Sequence, residues 1–257
     1  MIPLKDNIPT GRFAYVTFTL IVANFVVYLL AVRHGGSIIS GPTPTEELKY
    51  GAIPYALTHP GDHCGFVQSG AVMCQGQPGV RGTPPNTIPT WETIFTAMFM
   101  HASIIHIGGN MLFLWIFGNN VENAMGPVKY LFFYILGGIA ALALQVAVAP
   151  NSTAPTLGAS GAIAAVLGGY ILLYPRARVL TLVFIIFFFT VIELPAIIVL
   201  GLWFIEQAVF AAVGLTTPGT SGGVAYFAHV GGFAFGLTTV KLLATRRRQL
   251  PPARPVY

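Results

Sequence analysis

The stretch Thr156-Leu157-Gly158-Ala159-Ser160-Gly161 opens an apolar run that continues to Tyr174. It puts one hydroxyl at the mouth of a helix, where backbone N–H groups have no partner within the helix. A serine hydroxyl is a weak nucleophile unless a base stands beside it, so the rest of the chain decides what Ser160 can do. Around it, 54% of the residues are hydrophobic and only 8% are charged, against roughly 25% charged in soluble domains. That composition makes the chain an integral membrane protein with length for about six spans.

Apolar segments predict spans at roughly 13–32, 94–118, 128–148, 158–174, 195–214 and 224–244. The first has no small-x-small cleavage site and is read as a retained span, not a removed signal. Residues 35–90 form one long loop, interrupted by Pro42, Pro44, Pro54, Pro60, Pro78, Pro84, Pro85 and Pro89, a composition that opposes long helix. Residues 179–192 are apolar, β-branched and aromatic, and end at Glu193-Leu194-Pro195. The run is short for a span and is read as a surface-lying or re-entrant segment, with a seventh span as the alternative. The expected fold is an all-α membrane protein, a six-helix bundle forming one domain over 1–257. Residues 35–90 are its external loop and 245–257 a basic tail.

Basic residues orient the bundle. With the N-terminus cytoplasmic, the inside holds Lys5, Arg12, Lys129, Arg176, Arg178, Lys241, Arg246, Arg247, Arg248 and Arg254, and the outside Arg33, Lys49 and Arg81. The bias puts both termini inside, which favours six spans over seven. It also accounts for the +5 net charge without nucleic acid as a partner. Arg246-Arg247-Arg248 reads as a lipid-headgroup anchor. Cys64 and Cys74 share the external loop, either as a disulfide or as two free thiols. The absence of a transit peptide points to a bacterial inner membrane.

In this orientation the second, fourth and sixth spans all run from outside to inside. His101, His106, Asn110, Ser160 and His229 then fall within the outer third of the membrane depth, counting about 1.5 Å per residue. Polar groups inside a span are costly and face a bundle interior or watery cavity; interhelical hydrogen bonding is the simpler use for each one alone. His229 is the candidate base for Ser160. Gly232 and Gly236 give its span a small-residue face, matched by Gly161, Ala165 and Gly168 on the fourth, and small residues let two backbones approach closely. His106 and Asn110 are four apart and share a helix face. With the Ser160 backbone N–H, and His101 as a further candidate, they supply donors for an oxyanion. Glu193 lies at the wrong depth and Glu206 is mid-span without a matched neighbour, so no carboxylate completes a triad.

Together, His101-x4-His106-x3-Asn110, Gly158-Ala159-Ser160-Gly161 and Ala228-His229-x2-Gly232-x3-Gly236, with Gly118, Val121-Glu122 and Gly126, resemble the rhomboid family of intramembrane serine proteases, bacterial type. The resemblance covers residues 91–240. It implies Ser160 as nucleophile, His229 as general base and acid, and His106, Asn110 and the Ser160 amide as oxyanion donors. No metal or cofactor is implied. Implied substrates are single-span membrane proteins, cut near a small residue towards the outer face. Two positions depart from the family. Trp91-Glu92 stands where many members carry Trp-Arg, and Ala164 stands where some carry a Tyr packed on the histidine. Orientation of His229 then falls to Tyr226, Phe227 or another ring. The alternatives are an inactive rhomboid-like binding or trafficking factor, a metalloprotease, for which no acid neighbours His101 or His106, and a channel or transporter.

Overall fold

The computed structural model describes residues 1–78, 80, 88–185, 188–216 and 224–245. Arg81, Pro84, Pro85, the Arg246-Arg247-Arg248 anchor and Arg254 lie outside them. Helix α1 (Tyr15–Val32) buries Thr17, Leu20, Asn24, Tyr28, Ala31 and Val32, one stripe recurring every three or four residues. Its other faces expose Phe18, Val22, Phe25, Val26, Leu29 and Leu30. Polar groups inside and large apolar groups outside are the pattern that lipid, not water, stabilises.

The loop that follows folds into short pieces: α2 (Pro44–Tyr50), α3 (Pro54–Thr58) and the hairpin of β2 (Cys64–Phe66) and β3 (Val72–Cys74). In that hairpin Cys64 pairs with Cys74 in register, and the two form a disulfide. The stretch expected as one span over 94–118 is broken instead. Helix α4 (Thr93–Thr96), flanked by 3₁₀ turns, stops before Met100, and the chain restarts as α5 (Ile104–Phe113) at an angle of 77°. Ser103 causes the restart: extended, it caps α5 by accepting the His106 N–H at 3.1 Å. A π turn over Leu114–Gly118 leads into α6 (Asn119–Met125). Gly126, at φ +84°, turns the chain and Pro127 begins α7 (Pro127–Val148).

Helix α8 (Ser160–Leu173) is the centre of the bundle, buried without interruption from Ala162 to Tyr170. Helices α9 (Ala196–Thr216) and α10 (Tyr226–Leu243) complete it. Among the described residues, helices α1, α7 and α9 are each long and apolar enough to cross a bilayer, and the bent pair joined at Met100–Ser103 makes up to four. At 14 residues, α8 is about 21 Å long, short of a hydrocarbon core of about 30 Å.

The all-α expectation needs correction. The segment expected over 179–192 to lie on the surface or re-enter is part of the hairpin of β4 (Arg178–Ile185) and β5 (Phe188–Pro195). Near the N-terminus, β1 (Ile2–Asp6) joins it in an antiparallel sheet ordered β1-β4-β5. β-Branched and aromatic side chains favour this pairing over helix.

The sheet also fixes which ends of the bundle belong together. β1 pairs with β4, and the Thr245 N–H at the end of α10 donates to the Ala124 carbonyl at 3.1 Å. The N-terminal strand and the end of α10 therefore share one end of the bundle. At that end, the Glu122 carboxylate accepts the Val16 N–H at 3.0 Å and, at 2.8 Å each, the Thr17 N–H and hydroxyl. A negative charge on the N-terminus of α1 suits the helix dipole.

Asp6 is inserted beside it, its Oδ2 accepting from the Tyr170 hydroxyl at 2.5 Å and Asn120 Nδ2 at 2.6 Å. Burial raises its carboxyl from 3.8 to about 6, outweighing those hydrogen bonds. An acid whose folded pKa is raised favours folding most when protonated. The contribution is full below the unfolded value and falls as pH rises through about 6. Hydrogen exchange of the β1 amides is expected to slow as pH falls from about 6 to 4, after correction for intrinsic rates, and Asp6→Asn is expected to flatten that dependence.

Candidate active site

Gly158, at φ +119°, ends the extended approach to α8. The approach is held from both sides. Thr156 exchanges backbone hydrogen bonds with Ala52, at 2.8 and 2.9 Å, and the Gly158 N–H donates to the Ala97 carbonyl at 2.8 Å. Glycine is required at 158 on two grounds: its φ is one that L side chains rarely adopt, and a Cβ would lie 2.8 Å from His106 Nε2. Ser160 then begins α8 with its hydroxyl facing α10. There His229 Nε2 lies 2.8 Å from Ser160 Oγ.

That approach depends on the glycine faces of α8 and α10. A Cβ on Gly232 would strike the Gly161 carbonyl, one on Gly236 the Ala165 carbonyl, and one on Gly168 the Phe233 carbonyl. Gly161 itself turns its α-hydrogen face towards Ala141 of α7, which an added Cβ would meet at 2.7 Å. Its backbone, and not its missing side chain, is what faces α10.

Ser160, His229, His106, Asn110, Gly158 and Trp203 line a common cavity of about 690 Å³. His106 Nδ1 accepts the Ala102 N–H at 3.4 Å, which leaves the ring proton on Nε2, the nitrogen nearest Gly158. Asn110 Nδ2 is buried with no hydrogen-bond partner among the described residues. His101 differs from both. Its Nε2 accepts the Ala159 N–H at 3.4 Å and its Nδ1 donates to the Phe99 carbonyl at 3.2 Å. Both nitrogens brace backbone, so this ring has no proton to offer the cavity.

Gln207 belongs to the same site, although no motif in the sequence marks it. From α9 its Oε1 lies 2.7 Å from His229 Nδ1. The two acids weighed for that place are elsewhere: Glu193 pairs with Arg178 at 3.5 Å, and Glu206 is exposed on the outer side of α9. The signal was present as a long polar side chain within an apolar helix, four residues after Trp203. The rings near His229 are Trp203, with centroids 5.8 Å apart and planes at 38°, and Tyr226, edge-on at 6.3 Å. Trp91, beside the Glu92 that replaces the family's Arg, is exposed.

The Rhomboid domain model matches residues 89–246, more than half of the chain. The chain belongs to the rhomboid family. Among rhomboid relatives it is 31% identical over 152 residues to Rhomboid protein 1, mitochondrial, of Saccharomyces cerevisiae, covering 56% of this chain and 40% of that protein. It is 29% identical over 144 residues to the human Presenilin-associated rhomboid-like protein, mitochondrial, covering 54% and 34%. A third, Rhomboid-like protein 11, chloroplastic, of Arabidopsis thaliana, is 36% identical over 78 residues, covering 30% and 28%. The aligned part is thus less than half the length of each of these relatives.

Proposed function

We propose that this rhomboid is an intramembrane serine endopeptidase acting through a Ser160–His229 dyad on single-span membrane proteins, near the outer membrane face. The observation that carries the reading is the 2.8 Å contact between His229 Nε2 and Ser160 Oγ in a mostly apolar cavity. His229 takes the Ser160 proton as Oγ attacks the substrate carbonyl. The oxyanion is met by the Ser160 N–H, His106 Nε2–H and Asn110 Nδ2. The tetrahedral species collapses as His229 passes its proton to the leaving amine. Water, deprotonated by His229, then hydrolyses the acyl-enzyme and frees Ser160.

The reading includes six spans with both termini cytoplasmic, in a bacterial inner membrane. The orientation is supported by the shared end of β1 and α10, by the basic residues gathered there, and by the disulfide at the opposite end, where an oxidising compartment suits it. Ser160 starts a helix too short to cross the bilayer, which is compatible with a site set below the outer surface. No metal or cofactor takes part in the proposed steps.

Labelling by a fluorophosphonate probe tests the reading. Wild type is expected to label, and Ser160→Ala and His229→Ala to stay blank. A folded wild type that fails to label, beside an active rhomboid in the same detergent, would favour the alternative, an inactive binding or trafficking factor. The oxyanion roles have their own test. Asn110→Ala and His106→Ala are expected to lower kcat by about 10²–10³-fold with little change in KM, since the oxyanion exists only in the transition state. Full kcat in Asn110→Ala would remove Asn110 from that role.

A further inference from the structure

We propose that Gln207 is a positioning residue that holds His229 in the tautomer and plane needed to take the Ser160 proton; this rests on the dyad reading above. An imidazole can carry its proton on either nitrogen and rotate about its bond to Cβ. Only the form with a bare Nε2 turned to Ser160 Oγ is a base for that hydroxyl. An amide oxygen accepts and never donates. With Gln207 Oε1 at 2.7 Å, Nδ1 must carry the proton, and the lone pair is left on Nε2, 2.8 Å from Ser160 Oγ.

Gln207 is 7% exposed, and burying an amide in an apolar helix is costly unless it is hydrogen-bonded. Its neighbours on α9, Ile205, Val209 and Phe210, face outward, so the helix turns one polar group inward, and that group meets the histidine. Trp203 stands four residues earlier on the same helix face and lies beside the His229 ring. A neutral amide suits this depth better than a carboxylate, because it brings no buried charge that needs compensation.

The proton balance is simple. Nε2 takes the proton from Oγ as the carbon–oxygen bond forms, then delivers it to the leaving nitrogen. Nδ1 keeps its own proton throughout, and its bond to Oε1 strengthens while the ring is cationic. Gln207 neither gains nor loses a proton.

The test uses the full chain in proteoliposomes with a single-span fluorogenic substrate, thermal melts in parallel, and fluorophosphonate labelling. Gln207→Met keeps length and shape but removes the amide acceptor. It is expected to lower kcat by about 10²-fold or more, with KM within about twofold and labelling slowed in parallel; loss of the correct tautomer in a triad costs up to about 10⁴. Gln207→Glu restores an oxygen at the same reach and is expected to recover at least about tenfold of the loss. Wild-type kcat in Gln207→Met overturns the proposal. So does an equal fall in both folded variants, since an acceptor oxygen at the same reach would then fail to restore the orientation of His229. Should Gln207→Met fail to fold, Gln207→Asn carries the test. It draws the amide back by one methylene and is expected to lower kcat; an unchanged kcat overturns the proposal. A wild type that neither cleaves nor labels would mark failure of the dyad reading itself, and the proposal would fall with it.

Discussion

Ser160→Ala and His229→Ala are each expected to reduce substrate cleavage by about 10⁴–10⁶-fold, and the double variant to be no worse than either alone. The three rates coincide because the two side chains act as a unit. Without the imidazole, the hydroxyl keeps its proton and is a poor nucleophile; without the hydroxyl, the imidazole has nothing to activate. What remains is orientation and oxyanion stabilisation. Both variants should fold. Ser160 lies at the first position of α8, where Ala is a better helix former, and His229 meets its neighbours through two side-chain hydrogen bonds, to Ser160 and Gln207. Cleavage of a single-span reporter in liposomes, with thermal melts in parallel, measures the effect. A Ser160→Ala protein cutting at the wild-type rate would remove the serine from the chemistry.

Gly232→Ala and Gly236→Ala are expected to lower kcat by about 10²-fold or more, since a displacement of about 1 Å in an active site can cost that much. Each is also expected to lose about 1–3 kcal/mol of stability, the usual cost of overpacking. The added methyl meets backbone, not a side chain that can swing away: the Gly161 carbonyl in the first case, the Ala165 carbonyl and Gly169 N in the second. Helix α10 must move away from α8, and His229 moves with it. Gly201→Ala on α9 is the control, because nothing lies within 4 Å of the Cβ it would gain. Melting midpoints and reporter cleavage, read together, separate this outcome from a general intolerance of methyl groups. An active, unshifted Gly232→Ala would show that the two backbones are not at their limit of approach.

Much of the bundle was legible in the sequence because a bilayer admits few structures. Backbone groups in lipid must be bonded within the segment, so long apolar runs become helices, and α1, α7, α9 and α10 fall where hydropathy placed them. Ser160, His229, His106 and Asn110 stand out as candidates for a related reason: polar groups in apolar helices are expensive. Other features depend on partners remote in the chain. Residues 178–195 have the composition of a buried helix or of strands, and only pairing with Ile2–Asp6, far away in sequence, identifies them as sheet. Beside the local Ser103 cap, the break at Met100–Ser103 is held by a partner remote in the chain, the Ile39 carbonyl, which accepts the Ile104 N–H. His101 shares residue type and depth with His106, yet its two nitrogens are spent on backbone. Gln207 carries no periodic signal, since one amide in an apolar helix reads the same whether it faces lipid, a neighbouring helix or a histidine. The sequence by itself determined the membrane class and the principal helices, and singled out the pair of residues proposed to react. The tertiary structure decided which nitrogen of His106 and of His229 faces the cavity and what orients the ring, because a tautomer is set by the partner that comes to lie beside the ring, not by the residues on either side of it in the chain.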